Sequence, residues 1–175
     1  MSQVTLRPLT REDTDKILSW RNRDDVRFNL YNSDLLTAGQ HLWYFDNYVS
    51  TGKVRQFVIQ VEEDGTVRDI GSVFLKAIDT HSRKAEFGIF IGDPTARGKG
   101  FGTPATKKIL EYGFETMGLN RIYLTVLADN SAAIRAYERA GFQLEGTMRE
   151  DFLRGTQFVD VVLMGMTKAD YLRNK

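Results

Sequence analysis

The 175-residue sequence has no cysteine. Disulfides, thiolate metal sites and a cysteine nucleophile are therefore excluded at the outset. Proline is scarce, three residues in all, and no Pro- or Ser-rich stretch marks a linker. No apolar run approaches the ~20 residues of a membrane-spanning helix. Charge of one sign is not in excess either: 24 basic and 23 acidic side chains, mixed along the chain, leave a formal net charge of +1. A nucleic-acid binder usually carries a basic excess or stripe. The two histidines, His41 and His81, belong to no grouping with metal-ligand spacing, so no metal is expected. The start, residues 1–7, lacks the basic-then-apolar pattern of a secretory signal. A soluble cytoplasmic protein, bound to neither membrane nor nucleic acid, is the expectation.

What is present is the composition of an ordinary globular domain, 42% hydrophobic and 27% charged. Without internal repeats or a boundary, residues 1–175 read as one domain. Residues 4–7 form a candidate strand. Thr10-Arg11-Glu12-Asp13 is a helix-entry signal, and that helix runs through Ile17, Leu18 and Trp20 before breaking up over 21–25. A second amphipathic stretch covers 35–49. The period then changes, and strands are expected over 56–61, 70–78 and 84–91. In the last of these Ala85, Phe87, Ile89 and Ile91 alternate with Glu86, Gly88 and Phe90. A helix over 100–117, a strand over 121–127, a short helix over 131–139 capped by Gly141, and strands over 142–146 and 158–166 complete the chain. This order predicts an α/β (α+β) class: a mixed, mostly antiparallel sheet of about seven strands flanked by about four helices.

The segment from Gly92 to Pro104 carries the chemistry. Gly98, Gly100 and Gly102 let the backbone approach a ligand without Cβ atoms in the way. The helix that follows directs its unpaired N–H groups and positive dipole end to the same point, and Arg97 and Lys99 add charge. This is an anion site suited to a phosphate or pyrophosphate. The Walker pattern fails, because Gly92 is one residue too far away and Lys99 is followed by Gly100 rather than by Ser or Thr. Gly100-Phe101-Gly102-Thr103-Pro104-Ala105 does satisfy G-x-G-x-x-A, but antiparallel-looking strands stand where the opening βαβ unit of a dinucleotide fold belongs.

Arg97-Gly98-Lys99-Gly100-Phe101-Gly102 resembles the acyl-CoA loop of the GNAT family of N-acetyltransferases. Asn130-Ser131-Ala132-Ala133-Ile134-Arg135-Ala136-Tyr137-Glu138-Arg139-Ala140-Gly141-Phe142 resembles that family's second signature, and the element order from Val4 to Met166 matches its fold. The resemblance implies an acetyl-CoA cosubstrate and a sheet splayed where it binds, between Phe90 and Ile91 on one strand and Leu127 on the next. It implies that Arg97, Gly98, Lys99, Gly100, Phe101 and Gly102 hold the pyrophosphate, and that Asn130 contacts the pantetheine arm. As a residue type, Asn130 is equally a helix N-cap. Tyr137 matches the position that protonates the departing thiolate; read alone, it is a core aromatic with a wet tip. Glu86 is the candidate base for the attacking amine, and its plain alternative is an ion pair with Lys84 or Arg121. His41 and His81 are lesser candidates. With cysteine absent and no Ser-His-acid arrangement, direct transfer is favoured over an acyl-enzyme.

The acceptor is expected to be a small-molecule amine. Ser19-Trp20-Arg21-Asn22, Val26-Arg27 and His41-Leu42-Trp43-Tyr44 resemble acetyltransferases of nucleotide-linked 4-amino sugars, which makes Trp20, Arg21, Asn22, Arg27, His41 and Trp43 the candidate acceptor residues. Trp20 and Trp43 read equally as core anchors of their helices. Residues 81–101 and 145–160 resemble the spermidine acetyltransferases, and ribosomal-protein N-terminal acetyltransferases share the plan. A CoA-binding module without catalysis is the alternative of another class. Phe152, Phe158 and Val159 suit either an apolar homodimer surface or the core.

Overall fold

The computed structural model describes residues 2–30 and 33–175. Strand β1 (Gln3–Pro8) leads through a 3-10 turn into α1 (Thr14–Arg21), the single turn α2 (Asp24–Arg27) and α3 (Ala38–Tyr44). Then come β2 (Arg55–Glu63), β3 (Thr66–Asp79), β4 (Lys84–Ile91), α4 (Gly102–Glu111), β5 (Arg121–Leu127), α5 (Ser131–Ala140), β6 (Gln143–Arg154), β7 (Gln157–Thr167) and α6 (Lys168–Arg173). The seven strands form one sheet in the order β1-β2-β3-β4-β5-β7-β6. Every neighbouring pair is antiparallel except β4 and β5.

Helices cover both faces of the sheet. On one face Val73, Leu75, Ala85 and Phe87 pack with Ala105, Ile109 and Phe114 of α4 and the π-helical segment after it. On the other, Val58 and Phe90 meet Leu9, Ile17 and Trp20. The alternation read over 84–91 thus separates two cores rather than a core from solvent. At Gly92 a Cβ would stand 2.1 Å from Trp20 Cγ, so α1 rests directly on the end of β4. An ion-pair network holds α1 in place: Arg7 donates to Asp13 at 2.7 and 2.8 Å and to Asp69 at 2.6 Å. The Arg7 guanidinium draws the nearly buried Asp13 carboxyl down to about 2.

Among the described residues six helices form where about four were expected. The additions are α2, which begins within the stretch 21–25 where α1 was expected to break up, and α6, whose capping box joins Thr167 and Asp170. The final hairpin is also much longer than 142–146 and 158–166 suggest. β6 lies at the sheet edge and is mostly exposed, and a bulge interrupts its register between Met148 and Phe152. There Glu150 adopts φ 53° and its N–H donates to Asp160 Oδ1 at 2.8 Å. An exposed, bulged edge strand has no clean alternation to read. Phe158 is exposed near the hairpin end, with Phe152 and Val159 half-buried.

Candidate active site

Strands β4 and β5 pair only at Lys84↔Arg121, Ala85↔Ile122 and Glu86↔Tyr123. Beyond that point β4 stays with β3 as far as Gly71↔Ile91, and β5 stays with β7 as far as Leu127↔Val161. The two parallel strands therefore diverge, and their facing peptide groups lose strand partners. Buried peptide groups need partners, and an extended ligand with amides of its own can supply them, as an added strand would. A cavity of about 840 Å³ opens in this gap and runs from α2 and β3 past β4 and β5 to α4 and α5.

At one end lies the glycine loop. Asp93, paired with Arg68 and capping Thr95 N at 2.8 Å, fixes its start. Gly98 and Gly100 adopt φ 71° and 85°, a region that L side chains rarely enter. The space that a Cβ would take at Gly98, Gly100 and Gly102 is open. Phe101 occupies the N-cap of α4 without a side-chain capping bond. The first-turn amides of α4 thus have no side-chain acceptor at the cap, and Gly100, Phe101, Gly102 and Thr103 border the cavity. Open backbone, free amides and the positive end of a helix make an anion cradle. Arg97, Gly98, Phe90 and Ile91 also border it, whereas the exposed Lys99 does not.

Across the gap, Asn130 lines the cavity and caps α5, its Oδ1 accepting from Ala133 N at 3.2 Å. Seven residues on, Tyr137 also reaches the cavity. Its ring stands nearly perpendicular to Phe87, centroids 5.7 Å apart, and edge-on to Phe142 at 6.1 Å. Its hydroxyl has no hydrogen-bond partner among the described residues, and burial pushes its pKa up to about 12. Tyr137 therefore holds its proton throughout the neutral range.

Glu86 lies where β4 and β5 begin to part. Its side chain, 22% exposed, pairs with Lys76 Nζ at 3.3 Å. The partner is neither Lys84 nor Arg121: β3–β4 register puts Lys76 opposite Glu86, and Arg121 is held by Glu145 at 2.5 Å. Beside it, burial and then the Glu86 charge raise the pKa of the Tyr123 hydroxyl.

The six candidate acceptor residues separate. Arg21 borders the cavity; burial, followed by the nearby Arg27, lowers its pKa. Trp20 is a core residue against Gly92. Asn22 is engaged on both sides of its amide by the backbone of Leu36, at 2.8 and 2.7 Å. Arg27 donates to Asp24 and to the Ser33 carbonyl, both at 2.8 Å, and lies over the Phe28 ring. His41 is buried with Nδ1 3.0 Å from Thr14 Oγ1. Trp43 is 60% exposed, beside a second, shallow hollow formed with Leu36, Gly39, Gln40 and Tyr44. Neither a cavity position nor, for Trp43, a core position follows. His81 is exposed in its turn.

Several lining residues were not among the candidates: Asp25 and Val26 of α2, Asn29 and Leu30 after it, and Phe74 and Lys76 of β3. A four-residue helix is too short to show a period. Phe74 lies over β4 at Gly88, where a Cβ would come within 2.3 Å of the ring; only strand register brings these two together.

Residues 3–143 match the family model described as an acetyltransferase (GNAT) domain. The chain is 32% identical over 171 residues to a spermidine N(1)-acetyltransferase of Vibrio cholerae, covering 98% of this chain and 96% of that protein. It is 30% identical to the spermidine N(1)-acetyltransferase of Escherichia coli K12, covering 97% and 88%. The crystal structure of the Vibrio cholerae spermidine N-acetyltransferase in complex with CoA and spermine aligns with a TM-score of 0.88 at 31% identity, covering 97% of this chain and 98% of that one. No helix of the described residues is long and apolar enough to cross a membrane.

Proposed function

This chain belongs to the GNAT acetyltransferases and is an acetyl-CoA-dependent N-acetyltransferase; from that premise we propose how its cavity divides between cosubstrate and acceptor, and which amine it takes. The observation that carries the reading is the divergence of β4 and β5, with an anion cradle at one end and Tyr137 and Glu86 along it. The open glycines and uncapped α4 suit the CoA pyrophosphate, held by Gly98 to Gly102 with Arg97. The unpaired edges beside Phe90 and Ile91 suit the amides of its pantetheine arm, with Asn130 close by. Acetyl-CoA supplies the acetyl thioester, and the remaining work falls to this chain's own side chains.

An amine attacks only after losing a proton. Glu86 is the group to take it: Lys76 Nζ at 3.3 Å marks the spot where an ammonium is neutralised, and an acceptor ammonium can occupy the same position. The departing thiolate needs a proton, and Tyr137 Oη carries one. Placed proton donors and acceptors of this kind contribute about 10²–10⁴ in rate.

For the acceptor, a polyamine of the spermidine kind has the stronger support, from similarity to spermidine acetyltransferases over nearly the whole chain. Glu86 in the cavity wall fits a polycation; Asp25, in the same wall, is already held by Arg23 and Arg97. One observation favours a nucleotide-linked 4-amino sugar instead: Arg21, a half-buried guanidinium in the same wall, has the fork that suits a diphosphate. Since acetyl-CoA is an intracellular metabolite, the proposed place of action is the cytoplasm.

Product masses after incubation with acetyl-CoA and, in turn, spermidine, a nucleotide-linked 4-amino sugar or a short peptide with a free N-terminus separate these readings. Acetylated spermidine is the expected product. Acetylation of the sugar alone would overturn the polyamine reading and assign Arg21 to nucleotide recognition. Acetylation of the peptide alone would make the acceptor a protein N-terminus.

A further inference from the structure

The glycine loop and the neighbouring helical turn α2, which both border the cavity, share one ion pair. α2 buries a single side chain, Val26, and borders the cavity through Asp25 and Val26. Arg97 opens the glycine loop. Its Nε donates to the Ile91 carbonyl at 3.0 Å and its Nη1 to Asp25 Oδ2 at 2.5 Å. The third nitrogen, Nη2, is buried and has no acceptor among the described residues. Asp25 carries a second cation as well, since Arg23 Nε and Nη2 each donate to it at 3.0 Å.

A guanidinium is a rigid planar fork. With Nε and Nη1 engaged, the direction of Nη2 is set, and a buried donor without an acceptor is costly. Because Nη2 is closed off from solvent, an anion bound at the loop reaches it only as the guanidinium shifts, and once bound it holds Arg97 from a further side. The Arg97–Asp25 pair then has less freedom, and so does α2, which has little else to anchor it. We propose that Asp25 is a positioning residue that transmits occupancy of the glycine loop, through Arg97, to α2, so that the α2 wall of the cavity becomes ordered when CoA is bound. This rests on the assignment of the loop to the CoA pyrophosphate, but not on which amine is the acceptor. Asp25 touches no reacting atom in this scheme.

Hydrogen exchange with CoA as the only ligand tests it. The amides of residues 26–30 donate within the α2 turn and just beyond it, so their exchange reports its order. CoA is expected to slow exchange over 98–106 and, by about fivefold or more, over 23–30, the lower end of ordinary coupling between sites. Asp25→Asn keeps the shape of the side chain and removes its charge. It is expected to retain the slowing over 98–106 while that over 23–30 falls below about twofold, and Asp25→Glu is expected to restore much of it. A purely structural role would leave the effect of CoA on 23–30 unchanged. Equal slowing over 23–30 in wild type and Asp25→Asn, or none in wild type, overturns the proposal. Loss of CoA binding in both variants overturns it too, because Asp25 would then serve the cofactor site itself. If CoA slows 98–106 in no protein, the loop assignment fails and takes the proposal with it.

Discussion

Tyr137→Phe is expected to lower kcat by about 10²–10⁴ while leaving the affinity for CoA within about threefold of wild type. The ring stays: its contacts with Phe87 and Phe142 are made by the aromatic face and edge, which phenylalanine keeps. The hydroxyl makes no hydrogen bond among the described residues, so its removal leaves no partner stranded. What disappears is a proton held at the cavity wall on a group that burial keeps protonated up to about pH 12. Calorimetric titration with CoA beside steady-state rates separates the two effects. A turnover equal to wild type would remove the proton-donor role from Tyr137, and a matching loss of CoA affinity would make the hydroxyl a binding group.

Gly92→Ala is expected to lower Tm by roughly 4–12 °C. The added Cβ would lie 2.1 Å from Trp20 Cγ and 2.4 Å from its Cβ, so the collision is with the root of a buried indole rather than a flexible tip. Overpacking of this kind costs about 1–3 kcal/mol. The rigid contact argues for the upper part of that range, ~2–3 kcal/mol, and a chain of this size loses roughly 2–4 °C per kcal/mol. Thermal unfolding followed by circular dichroism gives the answer directly. An unchanged Tm would mean that α1 can lift from β4 at little cost, and that Trp20 is not the anchor its burial suggests.

Gly92 also shows where the sequence was readable and where it was not. Read in the chain, it belongs to the glycine loop; in the fold it is the floor under Trp20. Features carried by contiguous residues came through well. Strands β4 and β5 match their predicted limits of 84–91 and 121–127, because each is bounded by turn signals and alternates cleanly. The loop and the capped α5 were legible for the same reason, since their geometry depends on glycines and an Asn within one short stretch. Among the described residues the cavity wall also includes Asp25 of α2 and Phe74 and Lys76 of β3, which no motif marks.

The acceptor residues were less legible because amphipathic periodicity identifies a buried face without saying what buries it. α1 buries Trp20 in the core behind β4 while Arg21, its neighbour, turns to the cavity. α3 buries a histidine and exposes a tryptophan: His41 turns inward to Thr14, and Trp43, two positions on, lies on the opposite side. The pairing of Glu86 with Lys76 depends on β3–β4 register, which composition does not encode. Asp25 escaped because its partner, Arg97, is distant in the chain and joined to it only by the fold.

If acetyl passes from acetyl-CoA to an amine along the gap between β4 and β5, the thiol of CoA is set free. Thiol release tests that transfer most directly, because a chain without cysteine contributes no thiol of its own and every thiol formed belongs to CoA. With wild-type protein and acetyl-CoA, the expected release waits for added spermidine, matches the acetylated amine mole for mole and leaves the mass of the protein unchanged. Acetyl-CoA bound with no thiol released on spermidine, amino sugar or peptide would contradict it, as would an acetyl group found on the protein itself.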